Sequence, residues 1–194
     1  EHLGGGLFRA TQPRGRAEVR AIAAGAQARA EIRVAFDAPV ENFENEPDVR
    51  FAALPEAVVS GKVEVRKNGA PEGEAFGRLI CDLGEPVGTR AAYLVLNRKL
   101  GSALKLSLLA RVEGSESVWL RAVVIDGNGS RQYVTLASKF AADGKWRRCE
   151  ARLPEGIKPP LVWQSVYVVA TGGRAFSGWV DVDDLRAARI DEAQ

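Results

Sequence analysis

The chain has 194 residues, 46% hydrophobic and 27% charged, the make-up of a globular domain rather than a disordered or membrane-embedded one. Its net charge is +2, and the excess lies early: residues 1–40 hold six Arg and four acids, while residues 41–194 hold 21 of each sign. A nucleic-acid binder should show a basic stripe and a membrane span needs roughly 18 apolar residues; neither occurs, and a single histidine, His2, excludes His triads and multi-His metal sites.

In chain order, Ala17–Ile22 and Ala30–Phe36 alternate and are predicted to be two strands, with Gly25 breaking the Ala-rich stretch between them. Further period-two strands are predicted at Lys62–Lys67, Phe76–Leu83, Arg90–Leu96, Leu104–Arg111, Val118–Ile125, Arg131–Ala137, Trp146–Leu153, Ser165–Ala170 and Gly178–Leu185. Turn signals separate them: Asn68-Gly69, Asp126-Gly127-Asn128-Gly129, Asp143-Gly144, Pro159-Pro160 and Gly172-Gly173. With no convincing amphipathic helix, the pattern argues an all-β, antiparallel β-sandwich or jelly roll.

Two strands show their inner face. Leu104, Leu106, Leu108 and Ala110 form one apolar set; Val118, Leu120, Ala122 and Val124 form another. The latter strand puts Trp119 and Arg121 on its opposite side. Sugars offer apolar C–H faces to aromatic rings and hydroxyls to polar side chains, so Trp119, Arg121 and Tyr133 are the candidate carbohydrate platform if their strands are neighbours. The alternative packs Trp119 against a preceding domain or a loop. Trp146 is expected in the core, Trp179 between the sheets or over an edge, and Trp163 as a loop cap.

Asp126–Ser130 imitates the opening of an EF-hand loop, but its twelfth position is Ala137 where a bidentate Glu is required, so it reads as a hairpin turn. Cys81 and Cys149 allow one bridge or two reduced core thiols. There is no Gly-x-Ser-x-Gly, Walker loop or His pair, and the acids lie mostly at turns and strand ends, which gives an enzyme reading no positive support.

Before Asp37-Ala38-Pro39, the succession Gly5-Gly6-Leu7-Phe8-Arg9-Ala10, Arg16–Ala23 and Ala28–Phe36 resembles the closing strands of a bacterial immunoglobulin-like domain. Such a sandwich needs about 100 residues, so residues 1–38 are expected to be its C-terminal remnant or a linker. From residue 39 to 194 the serial order of Phe43-Glu44, Gly77–Leu83, Gly88–Tyr93, Trp119–Ala122, Asp126–Gly129, Gly144–Arg147, Val166–Val169 and Ser177–Leu185 resembles another module. It is similar to the C-terminal jelly-roll domain of secreted bacterial phosphodiester glycosidase proteins and, more broadly, to galactose-binding-like carbohydrate-binding modules.

That resemblance implies a non-catalytic module that binds polysaccharide or cell-wall glycan, attached to an upstream catalytic domain of the same polypeptide. It also implies an extracellular or cell-surface location, with no nucleic acid partner and no membrane insertion. A chain that starts at Glu1 and contains no Met is expected to be a processed product or a fragment. The same resemblance implies a structural calcium held by Glu44 near the first strand and Asp184 of the terminal Asp183-Asp184 pair, together with backbone carbonyls, a hard-oxygen set that suits the ion. The competing reading is a structural or protein-interaction sandwich that binds no sugar.

Overall fold

The computed structural model describes residues 2–4, 7–8, 15–23, 26–34, 36–45, 47–85, 88–170 and 174–189, with side chains from Asp37 to Ala188. No described residue is helical. The strands are β1 (His2–Gly4), β2 (Leu7–Phe8), β3 (Gly15–Ala23), β4 (Ala26–Val34), β5 (Phe36–Glu41), β6 (Arg50–Leu54), β7 (Ser60–Lys67) and β8 (Ala75–Asp82). They continue as β9 (Ala91–Gly101), β10 (Lys105–Gly114), β11 (Val118–Ile125), β12 (Arg131–Phe140), β13 (Arg147–Arg152), β14 (Leu161–Ala170) and β15 (Ser177–Arg189).

Early in the chain, β1 pairs with β2, and β3 pairs with β4 in unbroken register from Gly15↔Val34 to Ala23↔Ala26. Residues 9–14 and the Gly25 and Gly172-Gly173 turn signals lie outside the described residues. From β5 onward the strands form two antiparallel sheets, one ordered β13-β10-β15-β8-β7 with β5 also on β15, the other β12-β11-β14-β9-β6. The chain crosses repeatedly between sheets, as in a jelly roll, so neither sheet is built from one stretch of sequence. The first sandwich strand begins at Phe36, whose partner is Arg189 near the end of β15.

The core is what alternation demanded. Leu106, Leu108, Ala110 and Val112 of β10 face Val118, Leu120, Ala122 and Val124 of β11 across the two sheets, all fully buried. Burying such a side chain contributes about 1.5–3 kcal/mol over leaving it in water. Leu104 departs from its predicted face: it precedes β10 and is 49% exposed. Trp163, predicted as a loop cap, is instead the largest fully buried side chain, with its indole N–H donating to the Ser165 carbonyl at 3.1 Å.

The 126–130 segment is the expected hairpin turn. Asp126 Oδ1 accepts the backbone N–H groups of Asn128 and Ser130, both at 2.9 Å, so the carboxylate closes its own turn. Cys81 and Cys149 are free thiols in the core, and burial pushes them up to about 12 and about 11.

Candidate functional site: the outer face of the five-stranded sheet

On the five-stranded sheet, the side chains that turn away from the core meet in register. One row across the strands reads Tyr133, Val123, Ser165, Val95, Arg50; the next reads Thr135, Arg121, Tyr167, Tyr93, Ala52. The first row, with Tyr93 and Ala52 of the second, lines a groove of about 440 Å³ that reaches from Arg50 on edge strand β6 to Arg131 and Tyr133 on edge strand β12; Arg121 and the buried Tyr167 lie outside its lining. Gln164 and Ser165 contribute polar atoms to its floor.

The aromatic rings are arranged rather than scattered. Tyr93 and Tyr167 stack with centroids 4.9 Å apart, and Tyr133 meets Tyr167 edge-on at 6.3 Å. The Arg121 guanidinium sits 5.6 Å from the Tyr167 ring and 6.0 Å from the Tyr133 ring. Its Nε is buried with no hydrogen-bond partner, and Nη2 donates to the Tyr133 carbonyl at 3.4 Å. Burial pushes the Tyr167 phenol up to about 12 and the Tyr93 phenol upward as well, so both are hydrogen-bond donors at neutral pH.

Trp119, Arg121 and Tyr133 thus share one face, as their neighbouring strands require. Arg121 and Tyr133 touch, and Trp119, 41% exposed, stands two residues along β11 outside the groove lining.

The outer face of the other sheet is built differently. Asp181 of β15 is fully buried, taking Arg78 Nε at 2.6 Å, Arg78 Nη2 at 2.8 Å and Arg111 Nε at 2.7 Å. Those guanidiniums cover the rings. Arg78 lies 4.0 Å from the Trp179 centroid, and Arg111 lies 4.8 Å from that of Trp146. Both tryptophans are therefore packed on this outer face, half-buried, and not between the sheets where the sequence had placed Trp146. There the carboxylate, the guanidiniums and the rings contact one another.

The proposed metal acids lie where one edge of β15 changes partner. β8 pairs with its residues 177–182 and β5 with 185–189, and between them the strand bulges, with Asp184 at φ 45°. Two loops fold into the gap. Glu44 Oε1 accepts the N–H groups of Glu74 (2.7 Å) and Ala75 (3.0 Å), and Asp183 Oδ2 accepts that of Glu72 (3.3 Å). Gly73, at φ +66°, is required between them, because a Cβ there would collide with Glu44 Oε1.

Asp184 does not belong to this set. Its Oδ2 holds Arg148 Nη2 at 2.5 Å and its Oδ1 holds Arg186 Nε at 2.7 Å, so both oxygens are neutralised and turned from Glu44. Glu44 and Asp183, rather than Asp184, are the acids that hold the 72–75 loop. Asp183 has no cation partner among the described residues; burial pushes it up to about 6, with the Asp184 and Glu44 charges adding to the effect. Backbone N–H groups surround both acids, and among the described residues no group of three or more His, Cys, Asp or Glu side chains is gathered to hold a metal ion.

No protein-family model matches the sequence, and no curated protein does. Solved structures do match. One is a carbohydrate-binding module studied for the promiscuous specificity of modules from the β-sandwich superfamily; its TM-score is 0.59 at 16% identity, covering 89% of this chain and 73% of that one. Another is the family 11 carbohydrate-binding module of Clostridium thermocellum in complex with a β-1,3-1,4-mixed-linked tetrasaccharide, with a TM-score of 0.52 at 12% identity and coverage of 78% and 94%. A third is the CBM22-1 and GH10 modules of the Clostridium thermocellum xylanase 10B with xylohexaose, at TM-score 0.52 and 14% identity, covering 81% of this chain and 29% of that one. The chain has the β-sandwich fold of carbohydrate-binding modules.

Within that sandwich, sequence reasoning missed Tyr93, Tyr167, Arg50, Arg131 and Gln164. Tyr93 was detectable, since it alternates with the buried Ala92 and Leu94 of β9. Tyr167 was not. It shares odd numbering with the core residue Trp163, and only a bulge at Gln164, where Val124↔Trp163 passes to Val123↔Ser165, sends the two rings to opposite faces.

Proposed function

We propose that this chain is a non-catalytic carbohydrate-binding module, with the outer face of the five-stranded sheet as its glycan site. It serves as the accessory part of an exported or cell-surface glycan-active enzyme of the phosphodiester glycosidase kind. The observation that carries this is the groove lined by Tyr93 and Tyr133, whose rings the buried Tyr167 braces. Rings of this kind cover the C–H faces of sugars, while phenols, Arg121 and Gln164 answer hydroxyls. The fold supports the reading, as it is one on which such modules are built.

Isothermal titration of the whole chain against plant and bacterial wall polysaccharides tests it. Binding in the micromolar to millimolar range is expected, weakened at least tenfold by Tyr133→Ala and by Trp119→Ala with unchanged melting temperature. Absence of binding to every glycan would leave a sandwich with a structural or protein-interaction role. The parent reading frame is expected to encode an export signal and a catalytic domain upstream; sequencing it checks both.

The same proposal includes a structural calcium held by Glu44, Asp183 and neighbouring backbone carbonyls. Its chemistry would be charge neutralisation where the loops at Glu44 and at Glu72–Ala75 meet the β15 bulge. Calcium is expected to raise the melting temperature by mass action and magnesium to substitute poorly.

A further inference from the structure

Elsewhere on the described surface most arginines hold a carboxylate: Arg78 and Arg111 hold Asp181, Arg98 holds Glu41, and Arg148 and Arg186 hold Asp184, while Arg90 donates to the Leu83 carbonyl instead. The groove lining holds Arg50 and Arg131, neither with a carboxylate partner among the described residues, and no Asp or Glu; Arg121, just outside that lining, has no carboxylate partner either. The three stand at different points across the sheet: Arg50 on one edge strand, Arg131 on the other, Arg121 between them on β11.

An exposed guanidinium without an acid partner is a donor fork that suits an oxyanion, because planar N–H pairs match carboxylate and phosphate geometry. Hydroxyl recognition alone would not need two positive charges with no acid among the lining residues. In a chain whose remaining charges balance, their gathering in one groove is charge complementarity to a ligand.

We infer that the groove takes an acidic glycan, a polysaccharide bearing oxyanions on more than one of its sugar units, and that Arg50 and Arg131 read those charges while Tyr93 and Tyr133 read the sugar rings. This rests on the carbohydrate-binding reading and specifies its substrate class. The shared chemistry is an oxyanion on a sugar chain, whether uronate, sulfate or phosphodiester.

Affinity electrophoresis of the whole chain tests it, in gels containing polygalacturonate, dextran sulfate or a poly(ribitol phosphate) wall polymer, beside neutral galactan, xylan and mixed-linked glucan, and beside poly-L-glutamate. Retardation at least tenfold stronger by one or more acidic glycans than by any neutral one is expected, and the glycan retained identifies the oxyanion. It should weaken as sodium chloride rises from 0.05 to about 0.5 M, because screening shortens the reach of the guanidiniums. The double variant Arg50→Gln/Arg131→Gln, both exposed positions, should lose at least tenfold on the acidic glycan with an unchanged melting curve. Equal or stronger retention by a neutral glycan would overturn the acidic assignment and leave the carbohydrate-binding reading intact. Retention by poly-L-glutamate as strong as by the acidic glycans would overturn it as charge without sugar. No retention by any glycan would overturn both.

Discussion

Asp181 and Asp183 stand two positions apart on β15, both buried, and their surroundings are opposite. Asp181 is clamped by two guanidiniums through three hydrogen bonds, and it holds Arg78 above its ordinary range. Removing that charge strands two partly buried cations, so Asp181→Asn is expected to cost about 3 kcal/mol, read from urea unfolding at pH 7. Asp183 has backbone donors but no cation, and Glu44 adds a like charge. Asp183→Asn is therefore expected to abolish the calcium-dependent rise in melting temperature while leaving the chain in chelator no less stable than before, since it removes an uncompensated buried charge. Glu44→Gln should blunt the calcium response as well, and Glu85→Gln, on an exposed loop, should not. Parallel melts with chelator and with calcium distinguish the three; equal responses would return Glu44 and Asp183 to the status of ordinary strand-end acids.

At the scale of the strand, the bulge at Gln164 decides which ring lies between the sheets and which lies on the groove side. Trp163 fills the space between the sheets, so Trp163→Ala should cost about 3–5 kcal/mol, measured by the same unfolding curves. Most strands were legible because one face is wholly apolar; β11 is bounded by the very residues its alternation marks, Val118 and Ile125. β5 and β6 escaped. β5 carries Pro39, which removes a ladder donor and is tolerated because β15 is its only partner, while β6 is a short edge strand, Arg-Phe-Ala-Ala-Leu, without alternation. The site was legible in part for the same reason. Trp119, Arg121 and Tyr133 could be placed outward from their own strands, whereas Tyr167 depended on a bulge and Arg50 on an unrecognised strand. Between Asp183 and Asp184 the sequence offered no means of choosing, because the strand bulges at that pair and alternation no longer assigns a face.

Across the whole molecule the two outer faces divide the labour. One is closed by its own ion pairs and cation–ring contacts; the other opens a groove lined by Tyr93, Tyr133, Arg50 and Arg131 with no acid among its lining residues. Burial of the two thiols between them, and of Tyr167 beneath the groove side, also sets the alkaline limit. Cys81, Cys149 and Tyr167 all have folded-state values raised by burial, up to about 12, 11 and 12, against about 8.5 for an unfolded thiol and 10 for an unfolded phenol. The unfolded chain releases these protons first, so their contribution is full below about pH 8.5 and is lost as pH climbs through 9 to 12. Melting temperature should fall steadily over that window, and Cys81→Ser/Cys149→Ser should flatten part of the fall.

The central claim is that glycan binds on the outer face of the five-stranded sheet. Amide shift mapping of the isotope-labelled chain during titration with tri-galacturonate tests it most directly. Shifts concentrated at Tyr93, Arg121, Tyr133, Gln164 and Tyr167 are the expected result; shifts gathered around Trp146 and Trp179 on the opposite sheet, or none at saturating sugar, would contradict it.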